Sequence, residues 1–417
     1  SRKGVPLYEK VQQRLDTIVR IMRENITGIR VVKALSKEDY ERRRFHEANA
    51  AMTSADLTAG IVMAIPGPFV TFCLNIGLVL VVVVGAHRVN AGVTQPGVIL
   101  AFLTYFHMIL QSVMAINRVF LQTSKASASA SRIMEVLATE DDQPILPLTD
   151  EMRSESGAFL EFDRVSFTHA AAESGTESDS FAGGERAKCL DDISFRLRKG
   201  GTLGLIGATG SGKTTVINLL MRFYDAGEGG VYVDGRDVRT YDKGELRRKF
   251  GVVFQNDFVA EGTIADNIRF FRTIPAEALR QAAEDAQAAP FIAEKEHGME
   301  ADVAVRGNNL SGGQKQRLLI ARALAGDPEI LVLDDASSAL DYQTDAKLRA
   351  ALRKNHRNTT TVLIAQRVSS LRHADLILVL SDGAVIGAGT HEELMNTCSD
   401  YRIIAQTQMG AEEEVAV

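Results

Sequence analysis

Two uncharged stretches constrain this chain more than any other feature. Residues 57–86 form 30 consecutive positions without Asp, Glu, Lys or Arg, including the block LVLVVVV at 78–84. Residues 89–117 form another 29, broken only by His107. A helix needs about 20 mainly apolar residues to cross the hydrocarbon core of a bilayer, so each stretch suffices for a span. The alternative is a pair of buried helices in a large soluble core. Two runs this long, parted only by His87 and Arg88, argue against it. Pro66 and Pro68 are expected to kink or delay the first span, which membrane helices tolerate.

The flanks set an orientation. Residues 1–56 carry twelve Lys and Arg, the turn carries Arg88, and Arg118, Lys125 and Arg132 follow the second run. Basic residues favour the cytoplasmic side, so both flanks belong inside and the turn near 87–97 outside. Within the first flank, Leu15, Ile18, Val19, Met22, Ile26 and Ile29 form one stripe of an amphipathic helix over 8–35. Ser36 with Asp39 resembles a capping pair for a second helix through EDYERRRFHEAN. These helices read either as simply solvated or as a cytoplasmic loop that docks onto something.

Past Pro144 and Pro147 the pattern changes. FLEFDRVSF, ISFRL, TLGLIG and ILVLDD are short apolar runs separated by helical stretches, which predicts an α/β domain from about 158 onward. Residues 170–188 are small, polar and turn-rich, and read as a flexible insertion. The net charge of −6 gives no general reason to expect nucleic acid as a partner. Cys73, Cys189 and Cys398 are few and scattered, which fits neither a zinc site nor a disulfide framework.

The sharpest motif is GATGSGKT at 207–214, a full G-x-x-x-x-G-K-[ST] between the strand TLGLI and the helical TTVINLLMRF. Its glycines let backbone N–H groups wrap phosphates, and the helix N-terminus adds partial positive charge. The candidate nucleotide contacts are Gly207, Ala208, Thr209, Gly210, Ser211, Gly212, Lys213, Thr214 and Thr215. Lys213 would reach the β- and γ-phosphates, and Thr214 would offer its hydroxyl to Mg²⁺. ILVLDD places Asp334 at a buried strand end, where its carboxylate can approach the same ion.

With LSGGQ at 310–314 following Asn309, this order of motifs resembles the ATP-binding cassette (ABC) superfamily. Gln255 matches the family's Q-loop glutamine, and Ala339-Leu340-Asp341 matches its D-loop. ENITGIRVVKALSKEDYERRRF at 24–45 looks like the second cytoplasmic loop of ABC exporters, so the resemblance covers essentially the whole chain. It implies a partial all-α membrane domain over 1–140, with a cytoplasmic loop over 1–56 containing a coupling helix. The two spans become the fifth and sixth helices. A linker over 141–157, an α/β P-loop ATPase domain over 158–410 and an acidic tail over 411–417 complete the expected organisation. A full exporter half has six spans, so an N-terminally truncated half-transporter is expected. The implied place is the cell membrane, with the ATPase domain in the cytoplasm.

The family's cassettes are implied to pair head to tail, each ATP lying between one P-loop and the other's signature. By that likeness Ser311, Gly312, Gly313, Gln314 and Asp341 serve a partner's nucleotide, while Gln255 joins Thr214 and Asp334 at the metal. Three departures from the pattern stand out. Asp335 occupies the position of the Glu that polarises the attacking water, one methylene shorter. IAQR places Gln366 where the family has its switch histidine, and an amide cannot carry a proton at neutral pH. Val305 stands where an acidic residue is usual. The adenine-stacking aromatic is either His169 or Phe181.

Asp335, Gln366 and Gln255 are therefore the candidate catalytic groups of an ATPase whose binding residues are intact and whose hydrolytic pair is altered. The leading expectation is one half of a heterodimeric exporter carrying a degenerate, slowly hydrolysing ATP–Mg²⁺ site. A homodimeric exporter that hydrolyses slowly at both sites is the alternative. A soluble ABC ATPase acting on nucleic acid is a third reading, opposed by the uncharged runs.

Overall fold

The computed structural model describes residues 4–138, 143–169, 188–255 and 258–415, and it separates into a unit over 1–140 and one over 141–417. The expected insertion falls almost wholly outside the described residues, and Phe181 with it.

The first unit is helical throughout: α1 (Gly4–Ala34), α2 (Glu38–Ala64), α3 (Pro66–Asn90) and α4 (Pro96–Leu137). Helices α1 and α2 pack together, with Arg44 bonded to Glu24 at 2.7 Å and Asn25 to Glu41 at 3.0 Å. Of the expected apolar stripe, only Ile18 is buried, joined by Ile21 one position outside it. Leu15, Val19, Met22, Ile26 and Ile29 are exposed. Periodicity identifies an apolar face, but the crossing with α2 decides which part of it is covered.

The expected Ser36 cap is not formed. Ser36 lies in the left-handed region at φ 50°, and Lys37 is the N-cap, with no side-chain bond to the helix. The first uncharged run begins inside α2 and continues into α3 across Ile65, whose own backbone is helical, with Pro66 opening α3. Residues 91–95 make the turn, and His87 and Arg88 belong to the last turn of α3.

Among the described residues, one helical run, Glu38–Asn90, is long and apolar enough to cross a membrane, and Pro96–Ile109 is a shorter apolar stretch. The most apolar window of that long run is unburied, and Phe69, Phe72, Val79 and Val83 are all at least 57% exposed. A soluble core helix would hide such side chains.

The second unit is α/β. It begins with β1 (Leu160–Phe167), β2 (Leu190–Leu197), β3 (Thr202–Gly207), α5 (Lys213–Leu220), β4 (Glu228–Val233), β5 (Arg236–Asp237) and α6 (Lys243–Arg248). Next come β6 (Phe250–Val253), β7 (Gly262–Thr263), α7 (Ile264–Arg269), α8 (Ala276–Asp285), α9 (Ala289–Ala293) and β8 (Asp302–Val303). Then follow α10 (Gly312–Leu324), β9 (Ile330–Asp334), α11 (Tyr342–Asn355), β10 (Thr360–Ile364) and α12 (Val368–Leu371). The last elements are β11 (Leu376–Ser381), β12 (Ala384–Gly389), α13 (His391–Thr397) and α14 (Ser399–Val415). Helix α14 runs on through most of the expected acidic tail.

The central sheet has the order β12-β11-β3-β10-β9-β6, parallel except for the edge strand β12. Its inner strands are buried almost continuously, as parallel strands covered on both faces must be. A second, antiparallel sheet, β2-β1-β4-β5, encloses α5 in a separate apolar cluster. Residues 143–157, expected as a linker, are tied to this unit. The Pro144 carbonyl accepts from Arg222 at 2.7 Å, and the Leu146 N–H donates to Arg239 O at 3.0 Å.

Candidate nucleotide site

The site follows from strand order. Strands β3, β10, β9 and β6 are neighbours in that sequence and parallel, so their carboxyl ends lie along one edge. The P-loop follows β3, Gln366 follows β10, Asp334 ends β9 and Gln255 follows β6. Residues more than 100 positions apart thus converge because each follows a neighbouring strand, the usual location of ligand sites in open α/β sheets.

The P-loop is shaped by its glycines. Gly212 holds φ 99° as the N-cap of α5, and a Cβ there would lie 2.9 Å from Cys189 O. At Gly207 an added Cβ would collide with the Leu380 carbonyl. Ala208, Thr209 and Gly210 are exposed, Gly212, Lys213 and Thr215 half-buried, and Ser211 buried. The Lys213 ammonium uses its three donors on Gly207 O at 2.9 Å, Ala208 O at 2.7 Å and Ser211 Oγ at 3.3 Å. Burial lowers its pKa, partly offset by Asp334 and Asp335. Phosphate oxygens can replace those three acceptors and return a full negative charge to a desolvated cation.

Thr214 donates to Asp334 Oδ2 at 3.3 Å, so a hydroxyl and a carboxylate stand together beside the loop. Such hard oxygen donors suit Mg²⁺, which needs only one or two protein ligands when waters and phosphates supply the rest. No cluster of three His, Cys, Asp or Glu occurs among the described residues, so the pair fits a shared ion better than an all-protein cage. Burial raises the Asp334 pKa against the lowering bond from Thr214.

Asp335 adopts φ 51°, in the left-handed region that a short polar side chain tolerates. Its backbone N–H donates to Ile364 O at 3.0 Å, and its Oδ2 accepts from Gln366 Nε2 at 3.0 Å. The two altered positions therefore touch. Burial raises the Asp335 pKa, opposed by Arg367 and Gln366. Gln255 is exposed beside β6.

The signature lies elsewhere on the unit. Ser311 is the N-cap of α10 in a capping box with Gln314, and Gly312 is exposed. An added Cβ on Gly313 would lie 3.1 Å from Ala339 O, so the signature and the loop ending at Asp341 approach closely. Asp341 caps α11, accepting from the Thr344 N–H at 2.9 Å. His169 stands edge-on to Phe167 at 4.8 Å and to Tyr224 at 5.1 Å. Tyr224, half exposed, belongs to this aromatic group and had no motif to reveal it. Val305 is 55% exposed in a short 3₁₀ turn.

Comparison with known proteins decides the family. The ABC transporter family model matches residues 190–338, and the ABC transporter transmembrane region matches residues 2–113. An ABC transporter ATP-binding protein of Mycobacterium tuberculosis H37Rv is 37% identical over 413 residues, covering 97% of this chain and 68% of that protein. The chain belongs to the ABC transporter family.

An ATP-dependent lipid A-core flippase of Desulfotalea psychrophila is 32% identical over 403 residues, covering 96% of this chain and 68% of the relative. Among solved structures, a bacterial Atm1-family ABC exporter with ATP bound superposes with a TM-score of 0.82 at 25% identity. That match covers 97% of this chain and 68% of that one. This ABC chain is an exporter-type half-transporter, with a helical membrane region joined to an ATP-binding domain that couples ATP to export. ABC exporters act as dimers in a membrane, which sets its location and the kind of assembly it enters.

Proposed function

We propose that this chain is one half of a heterodimeric ABC exporter and carries its slowly hydrolysing site. One observation carries the reading: the phosphate and metal residues Lys213, Thr214 and Asp334 are in place, while the touching pair Asp335 and Gln366 replaces both groups that serve hydrolysis. Loss of a positioned proton-transfer group removes about 10²–10⁴-fold in rate. Two changes converging on one contact favour a linked loss over independent drift. ATP–Mg²⁺ held by residues 207–215, Asp334 and Gln255 then acts chiefly as a clamp between cassettes, with His169 beside the base. The partner supplies a competent glutamate and histidine, and this chain completes that second site with Ser311, Gly312, Gly313, Gln314 and Asp341. Closure and reopening of the cassettes drive the membrane helices, with 57–86 and 89–117 as two spans of a multi-pass domain.

The shared site is tested by Ser311→Arg in the transporter assembled with its partner. Turnover is expected to fall at least about tenfold, while nucleotide binding at this chain's own P-loop persists. Unchanged turnover would mean that the signature serves no other cassette.

A further inference from the structure

Helix α14 reaches the loop after β10 through one side chain. Gln408 donates from Nε2 to the carbonyl oxygen of Gln366 at 2.8 Å, and its Oε1 accepts from the Val368 N–H at 2.8 Å. A single amide thus holds the backbone on both sides of Arg367. The need for such a support is local. Val368 opens α12, a helix of four residues whose N-cap, Arg367, makes no side-chain capping bond. The N–H groups of a first helical turn have no acceptor within the helix, and so short a helix cannot fix its own entry. The acceptor for Val368 comes from 40 residues away.

The same loop presents Gln366, whose Nε2 donates to Asp335 Oδ2 at 3.0 Å. Three groups therefore form a relay: Gln408 on the backbone of 366 and 368, Gln366 on Asp335, and Asp335 at the end of β9, next to Asp334. Moving the carbonyl of Gln366 would tilt the peptide that carries its side chain, and with it the contact to Asp335.

We propose that Gln408 is a positioning residue for ATP hydrolysis, holding residue 366 against the carboxylate at 335 and making the C-terminal helix part of the catalytic support. The inference rests on reading Asp335 and residue 366 as the hydrolytic pair. A simple helix cap would contribute stability and leave the chemical step alone. A positioning group changes the rate with little change in nucleotide affinity, because displacement of a reacting group by about 1 Å can cost about 100-fold.

The experiment uses two copies of the chain paired in lipid nanodiscs without other transporter subunits, so that each P-loop meets a signature, with single-turnover hydrolysis and MgATP affinity measured together. The background is Asp335→Glu with Gln366→His, so that hydrolysis is fast enough to follow and the backbone acceptor at 366 is retained. On that background Gln408→Met keeps the side-chain length and removes both bonds. Gln408→Glu keeps the acceptor for Val368 and removes the donor.

The rate is expected to fall at least about tenfold in Gln408→Met with affinity within about twofold. Amide exchange at Val368 should accelerate in Gln408→Met and stay slow in Gln408→Glu, which reports the cap independently of activity. An unchanged rate in Gln408→Met, or a loss of affinity as large as the loss of rate, overturns the positioning role. If the Asp335→Glu, Gln366→His background is no faster than the wild-type chain, the hydrolytic-pair reading fails first and this inference with it.

Discussion

At Asp335 the carboxylate sits one methylene nearer the backbone than a glutamate's would, and Gln366 holds it by an amide that cannot take up a proton. Beside it, Asp334 is pushed above the ordinary aspartate value of 3.8 by burial. The sign of the pH effect follows. A raised carboxyl favours the nucleotide-free fold while protonated, and that contribution fades as pH rises through the raised pKa. In its proposed role as an Mg²⁺ ligand Asp334 must be ionised, so protons compete with the ion in the acid range. Mg²⁺-dependent nucleotide affinity is expected to weaken on acidification at a pH above that of an ordinary aspartate. Asp334→Asn should flatten the dependence. Titration calorimetry from pH 7 to 4.5 checks this, and an equally steep profile in the variant would rule out Asp334 as the responsive group.

Among the elements, Arg222 carries an unusual share of the second unit. It is 0% exposed and binds Asp225, the carbonyls of Arg239 and Tyr241, and that of Pro144. It thereby fastens the segment after residue 143 to the loop after α5. Arg222→Ala would remove the buried partner of Asp225 and a donor to the Tyr241 carbonyl, at a cost of about 3 kcal/mol or more. Thermal unfolding of the second unit should fall by at least about 5 °C. A variant that unfolds with the wild type would show that this cluster is dispensable.

What could be read in advance divides along the same line. The P-loop was legible because glycine spacing and a following Lys-Thr act within eight residues. The parallel sheet was legible because its strands are continuous apolar runs such as ILVLD. Arg222 and Gln408 were not, since their partners lie 78 and 42 residues away and no local pattern points to them. The stripe on α1 announced a helix, yet only the crossing with α2 selected Ile18 and Ile21 for burial. At Ser36 the left-handed backbone overrode a plausible capping sequence.

For the whole molecule, an unburied apolar helical run and an ATP-binding domain together give a chain whose chemistry must be transmitted to a membrane. The matched solved exporter and the relatives are about half as long again, with this chain covering 68% of each. The P-loop caps α5 and the signature caps α10, at separate places on one unit; in the proposed pairing each serves a nucleotide shared with a second cassette. In the assembly proposed above, one site clamps and the other turns over.

The most direct test is the maximal ATPase rate of two wild-type copies paired in nanodiscs at saturating MgATP, set against the same pair carrying Asp335→Glu and Gln366→His. The wild type is expected to bind nucleotide as tightly and to turn over at least about 100-fold more slowly. Equal rates would contradict a site altered at its hydrolytic pair.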